Sequence, residues 1–125
     1  MKRRRTAFNH LAVIGRRFGA CGSSGASAAE PPAPFVGAFD DYASGAVGMW
    51  SLGRRMLSSY TGPLIRLRRE PDQAESDCTY DADGNLDTVA IANFVGPFDA
   101  FVVKVYDQSG NANDYTQSTA GQQPK

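Results

Sequence analysis

Residues 22–34 read GSSGASAAEPPAP, a run in which Glu30 and the prolines are the bulkiest side chains. Nothing in it can anchor a core. Its first part is a flexible coil, and Pro31, Pro32 and Pro34 stiffen the second part toward an extended form. This linker divides the chain into an N-terminal arm, residues 1–21, and a body, residues 35–125, which alone can form a core. At 125 residues in all, the chain holds one domain at most.

Charge sharpens the division. The formal net charge is zero, with 13 basic and 13 acidic side chains. The first 20 residues nevertheless carry six bases (Lys2, Arg3, Arg4, Arg5, Arg16, Arg17) and no acid, so seven bases face 13 acids in the rest. A cationic arm precedes an anionic body. A secretory signal is not expected, because Leu11 to Ile14 is only four apolar residues before Arg16 and Arg17 interrupt it, against the ~7–15 such a signal needs. No apolar run approaches the ~18 residues of a membrane-spanning helix. Two cysteines, Cys21 and Cys78, cannot make a disulfide framework, and His10, the single histidine, reads as a solvated or interface residue.

The arm has two readings. It is a solvated tail too poor in apolar surface to offset its ordering entropy, or it docks on a partner. Phe8, Leu11, Ile14 and Phe18 interleave with Arg3, Arg4, Arg5, Arg16 and Arg17, which suits an interface with an apolar centre and a charged rim. Arginine pairs bidentately with carboxylates, so the expected partner is an acidic groove on another protein. Nucleic acid fits less well, because it engages the arginines and leaves the four apolar residues idle.

In the body, Ala46, Met49, Trp50, Gly53, Met56, Leu57 and Tyr60 fall at helical spacing and predict an amphipathic helix over 44–60, closed by Gly62-Pro63. Residues 64–69, LIRLRR, alternate as a half-buried strand. Asp81, Asp83 and Asn85 match the first ligand positions of a calcium loop. Gly84 arrives too early and Ala92 stands where a glutamate is required, so a tight Asp-Gly turn is expected instead. Asp87 reads as the N-cap of a short helix stopped by Gly96-Pro97. Residues 100–106, AFVVKVY, predict the strongest strand, with Phe101, Val103 and Val105 facing a core shared with Trp50 and Leu57. A polar loop follows over 107–113. Two strands cannot stand alone as a sheet, so completion by further residues or neighbouring chains is expected.

The helix-like run SLGRRMLSSYTGPLIRLRR, the DGNLDT turn and above all VYDQSGNANDYTQS resemble the beginning of the α-L-arabinofuranosidase B catalytic domain, the family-54 glycoside hydrolases. The same opening recurs in tail-fibre and other virion proteins of bacteriophages. The resemblance covers roughly residues 42–124 and none of the arm. It implies the incomplete start of a concanavalin-like β-sandwich, mostly β with one or two short helices (an α+β chain), preceded by the extended basic arm. The family motif loop is then Tyr106, Asp107, Gln108, Ser109, Gly110 and Asn111, with Asp107 and Asn111 as turn formers capping local backbone. A retaining glycosidase needs two carboxylates ~5–5.5 Å apart. In this family they lie downstream of the matched segment, so no catalytic residue, metal ligand or cofactor is assigned.

The expectation from these features is a non-catalytic structural component of a virus particle, of tail-fibre, spike or decoration type, located in the virion and homo-oligomeric. Its arm docks on another tail or capsid protein through residues 1–20, without a membrane. The body presents a glycan- or receptor-binding module, for which Tyr42, Tyr106 and Tyr115 are candidate stacking residues. The competing expectation is a truncated α-L-arabinofuranosidase-like hydrolase or a free carbohydrate-binding module.

Overall fold

The strand Ile65–Arg69 (β1) is the centre of the fold. It pairs antiparallel with Glu75–Cys78 (β2) on one side and Ala100–Val105 (β3) on the other, and Tyr115–Thr116 (β4) adds an edge, giving the order β2-β1-β3-β4. The computed structural model describes residues 31–125, of which Pro34–Lys125 form one compact unit. The arm residues named above lie outside the described part.

β1 and β2 are joined by a tight connection. The Arg69 amide donates to Ala74 O at 2.7 Å, and the Arg69 guanidinium grips Asp72 with two hydrogen bonds. Across β1 and β3 the register runs Ile65↔Val105 and Arg66↔Lys104, then slips to Leu67↔Val102 and Arg68↔Phe101. Val103 is thus the extra residue of a β-bulge, and an extra residue reverses side-chain alternation beyond it. The expected face of Phe101, Val103 and Val105 is therefore split. Val105, Val102 and Ala100 pack on the core of Leu64, Ile65, Leu67 and Cys78. Phe101 instead faces Arg68, whose guanidinium lies 5.0 Å from its ring centroid. Arg68, expected on a wet face, is only 6% exposed, and its Nε donates to Gln123 Oε1 at 2.7 Å.

The short helix forms as its end signals require. Thr88–Val95 (α1) is capped by Asp87, whose carboxylate accepts the Ala90 amide, and it stops at Gly96 with φ 61°. Ile91 and Phe94 turn to the core, while Val89 is 70% exposed. The Asp-Gly turn is also present. Gly84 has φ 78° and donates to Asp81 O, while Asp81 Oδ1 accepts the Asp83 and Asn85 amides at 3.0 and 2.9 Å. The Asp81 carboxylate thus holds the turn.

The helix expected over 44–60 does not form. This segment is a series of turns and extended pieces. Its backbone pairs with the 80s loop instead: the Arg55 amide donates to Gly84 O, the Leu86 amide donates to Gly53 O, and Arg54 bridges Asn85. Two interior glycines cost such a helix ~1 kcal/mol each, and Ser51 Oγ accepts the Gly53 and Arg54 amides, the local competition that disfavours helix. Met49 and Leu57 are buried all the same, at 7% and 4% exposure. Trp50 does not join Leu57 in the core and packs against Tyr115.

Candidate functional site

The motif loop after β3 is the densest polar site among the described residues. Asp107 is 5% exposed and its carboxylate is saturated. Oδ1 accepts the amides of Met49 and Ser109, both at 2.8 Å. Oδ2 accepts the Ser109 hydroxyl at 2.8 Å and the Asn113 amide at 3.1 Å. Gln108, 1% exposed, does the same for the next stretch of chain. Its amide donates to Met49 O, Oε1 accepts the Met56 amide at 2.7 Å, and Nε2 donates to Arg54 O.

The rest of the loop extends this grip. Asn111 Nδ2 donates to Ala46 O and Val47 O, and Asn113 Nδ2 donates to Val47 O. Gly110 takes φ 90°, a left-handed turn that favours glycine. Asp114 ties the loop to the sheet: Oδ1 accepts the Asp107 amide and Oδ2 pairs with Lys104 at 3.3 Å. Asp107 caps local backbone as expected, at Ser109 and Asn113, and adds the remote Met49 amide, whereas the Asn111 side-chain amide reaches backbone some 65 residues away. The loop is a clamp that holds 46–56, a segment with no regular structure of its own. Asn113 and Asp114 belong to it and were not singled out from the sequence, although the run NAND is rich in backbone-binding side chains.

Tyr106, the first motif residue, points into a different network. Its hydroxyl donates to Asp77 Oδ1 at 2.7 Å, and Arg66 grips the same carboxylate bidentately at 2.7 and 2.9 Å. Burial, then the Asp77 hydrogen bond, push the Tyr106 hydroxyl up to about 12. The Arg66 hydrogen bonds hold Asp77 below the ordinary carboxylate range. Asp72 is pulled down to about 2 by Arg69, and Asp40 is lowered by the Ser58 amide above all. For Asp107, burial pushes upward, but the hydrogen bonds from Ser109, Met49 and Asn113 outweigh it and the carboxyl ends below its usual value. A general acid at neutral pH needs the opposite shift. Other acids are likewise engaged: Asp81 in its turn, Asp87 as a cap, Asp99 with Lys125 and Asp114 with Lys104.

The clamp also places a pair of aromatic rings. Trp50 follows Met49, lies over Gly48 where a Cβ would collide with its ring, and donates from Nε1 to Asn113 O at 2.8 Å. Its ring centroid is 4.8 Å from that of Tyr115, which is 62% exposed. Tyr115 lines an open groove of about 210 Å³ with Val102, Val105, Thr116, Gln117 and Pro124. Tyr42 is 69% exposed and meets Phe39 edge-on at 6.4 Å.

The described residues form a mostly antiparallel sheet with one short helix, to which a buried Asp-Gln loop clamps an irregular segment. Residues 39–125 match the family model described as α-L-arabinofuranosidase B, catalytic, and the chain belongs to that family of glycoside hydrolases. Among its relatives, α-L-arabinofuranosidase B of Emericella nidulans is 36% identical over 90 residues, covering 69% of this chain and 18% of that protein. The α-L-arabinofuranosidase of Hypocrea jecorina is 33% identical over 89 residues, with the same coverage of each. A solved arabinofuranosidase complexed with arabinofuranosyl-α-1,2-xylobiose superposes with a TM-score of 0.54 at 33% identity, over 57% of this chain and 15% of that one. The chain thus spans under a fifth of the relatives' length.

These matches correct the expected function. The relatives are fungal hydrolases, so the structural virion component, the bacteriophage form of the resemblance and the virion location are all overturned. What survives is the fold: a mostly antiparallel partial sandwich with one helix, shared with the hydrolase structures.

Proposed function

We propose that this chain provides the scaffold part of an α-L-arabinofuranosidase-type glycoside hydrolase acting on α-L-arabinofuranosides, with the two reacting carboxylates supplied from elsewhere in the hydrolase. The observation that carries the reading is the extent of the family match. It includes both halves of the clamp, the 46–56 segment and the 106–114 loop. The electrostatics support the division of labour. Hydrolysis with retention needs one carboxylate as nucleophile and a second, with raised pKa, as acid. Asp40, Asp72, Asp77 and Asp107 are all shifted downward, and the hydrogen bonds that lower them also fix their side chains.

The test is a chimera. Residues 39–125 replace the corresponding segment of the Emericella nidulans relative, and hydrolysis of 4-nitrophenyl α-L-arabinofuranoside is followed. A folded chimera that hydrolyses the glycoside supports the scaffold assignment. A folded chimera without turnover counts against it.

A further inference from the structure

We propose that residues 35–40 form a latch that closes over the clamped segment and sets how often that segment opens while the sheet stays folded. Phe35 and Gly37 precede residue 39, where the family match begins, so the latch is independent of the hydrolase reading. Two side chains hold it shut. The Phe35 ring lies 4.1 Å from the Arg55 guanidinium, which also lies 4.5 Å from the Tyr80 ring. Asp40 Oδ1 accepts the Ser58 amide at 2.7 Å, and Oδ2 accepts the Gly37 amide at 2.8 Å. Between them the Phe39 amide donates to Met56 O at 3.1 Å. Gly37 runs so close to the segment that a Cβ there would collide with Met56 O and the Leu57 Cα.

The placement of these contacts makes the latch a control point. Asp107 and Gln108 bind Met49, Arg54 and the Met56 amide, whereas the latch takes Met56 O and the Ser58 amide. Among the described residues no carboxylate lies within ion-pair distance of Arg55, and its Nε is buried without a hydrogen-bond partner. Two rings and the Nη1 hydrogen bonds to Tyr60 O and the Tyr80 hydroxyl therefore hold this cation. Phe35 also covers Gly84, where a Cβ would strike its ring, and Gly84 O accepts the Arg55 amide at 2.6 Å. One ring thus bears on both partners of the bond that joins the segment to the 80s loop. Over 44–60 only Met49 and Leu57 are buried apolar residues. Sparse apolar burial marks a unit that opens at less than the global unfolding free energy.

Trypsin measures the opening. The Arg54–Arg55 peptide bond is tied on both sides, Arg54 O by Gln108 Nε2 and the Arg55 amide by Gly84 O. Cleavage there requires the segment to open, and its rate follows the open population where closing is fast. The full chain is digested, and cleavage after Arg54 and Arg55 is followed by mass spectrometry. Hydrogen exchange at the Leu64 amide, bonded to Cys78 O, reports on the sheet in parallel. Phe35→Ala should speed cleavage about tenfold, the loss of one cation–π contact, with Leu64 exchange unchanged. Asp40→Ala should act in the same direction, and Phe35→Tyr should cleave at the parent rate. Unchanged cleavage in Phe35→Ala overturns the latch. An equal acceleration of Leu64 exchange also overturns it, because residues 35–40 would then open only with the whole fold. Neither result bears on the hydrolase reading, which the chimera tests.

Discussion

Replacing Asp107 with alanine should strongly destabilise the body. Its carboxylate receives three backbone amides (Met49, Ser109 and Asn113) and the Ser109 hydroxyl, at 2.8 to 3.1 Å. A hydrogen bond to an ionised acceptor contributes ~1.5–3 kcal/mol, and a buried donor left without a partner costs ~1–3 kcal/mol. Asn113 is exposed and its amide regains water, whereas Met49 is 7% exposed and its amide does not. The expected loss is therefore ~3–5 kcal/mol, less than the sum of the bonds, against a total stability of ~5–15 kcal/mol for a domain. Asp107→Asn keeps one accepting oxygen but turns an amide donor toward the donors at the other, and should lose ~1–3 kcal/mol. Urea unfolding followed by Trp50 fluorescence reads both variants next to the clamp itself. With a slope of ~1–1.5 kcal/mol/M, a 3 kcal/mol loss moves the midpoint by ~2–3 M. A loss below ~1 kcal/mol in Asp107→Ala would refute the clamp, and the loop would then be a passive connection.

Further outcomes follow from the same contacts. Folded-state lowering of Asp40, Asp72, Asp77 and Asp107 means stability that is complete above the ordinary carboxylate value of 3.8 and lost as pH falls toward about 2, where Asp72 titrates. Urea midpoints measured from pH 6 to pH 2 should fall mainly below pH 4, and a flat profile there counts against these contacts. Gly84→Ala forces a side chain onto φ 78° and into the Phe35 ring, so thermal melting should show a loss of ~1–3 kcal/mol. Leu64→Ala, at a position 0% exposed, should cost ~2.7–5 kcal/mol by the same denaturation assay.

Local signals were legible in the sequence where a residue's own chemistry decides its conformation. The Asp87 cap, the Gly96 stop, the Asp83-Gly84 turn and the β1 and β3 strands all depend on neighbours a few residues away. The segment 44–60 was not legible, because its apolar spacing reflects burial of Met49 and Leu57 and not helical period. Its backbone is satisfied by Asp107, Gln108 and the 80s loop, contacts some 30 to 60 residues distant. The Val103 bulge was hidden for a related reason, since register belongs to two strands and an alternating pattern belongs to one. β2 carries Glu75, Ser76 and Asp77 beside a single buried residue, Cys78, and no apolar alternation marks it as a strand in the sequence. Of the candidate site, the motif residues were visible from the family resemblance, but their work on remote backbone was visible only once the chain was folded.

Turnover of 4-nitrophenyl α-L-arabinofuranoside by the 125-residue chain alone decides most directly whether these residues are scaffold or chemistry. If the acids named above are spent on turns, caps, ion pairs and the clamp, the purified folded chain releases no nitrophenol above the uncatalysed rate. Measurable release that disappears when one of its own carboxylates is replaced, with the fold intact by urea titration, would contradict the scaffold assignment and place reacting groups within this segment.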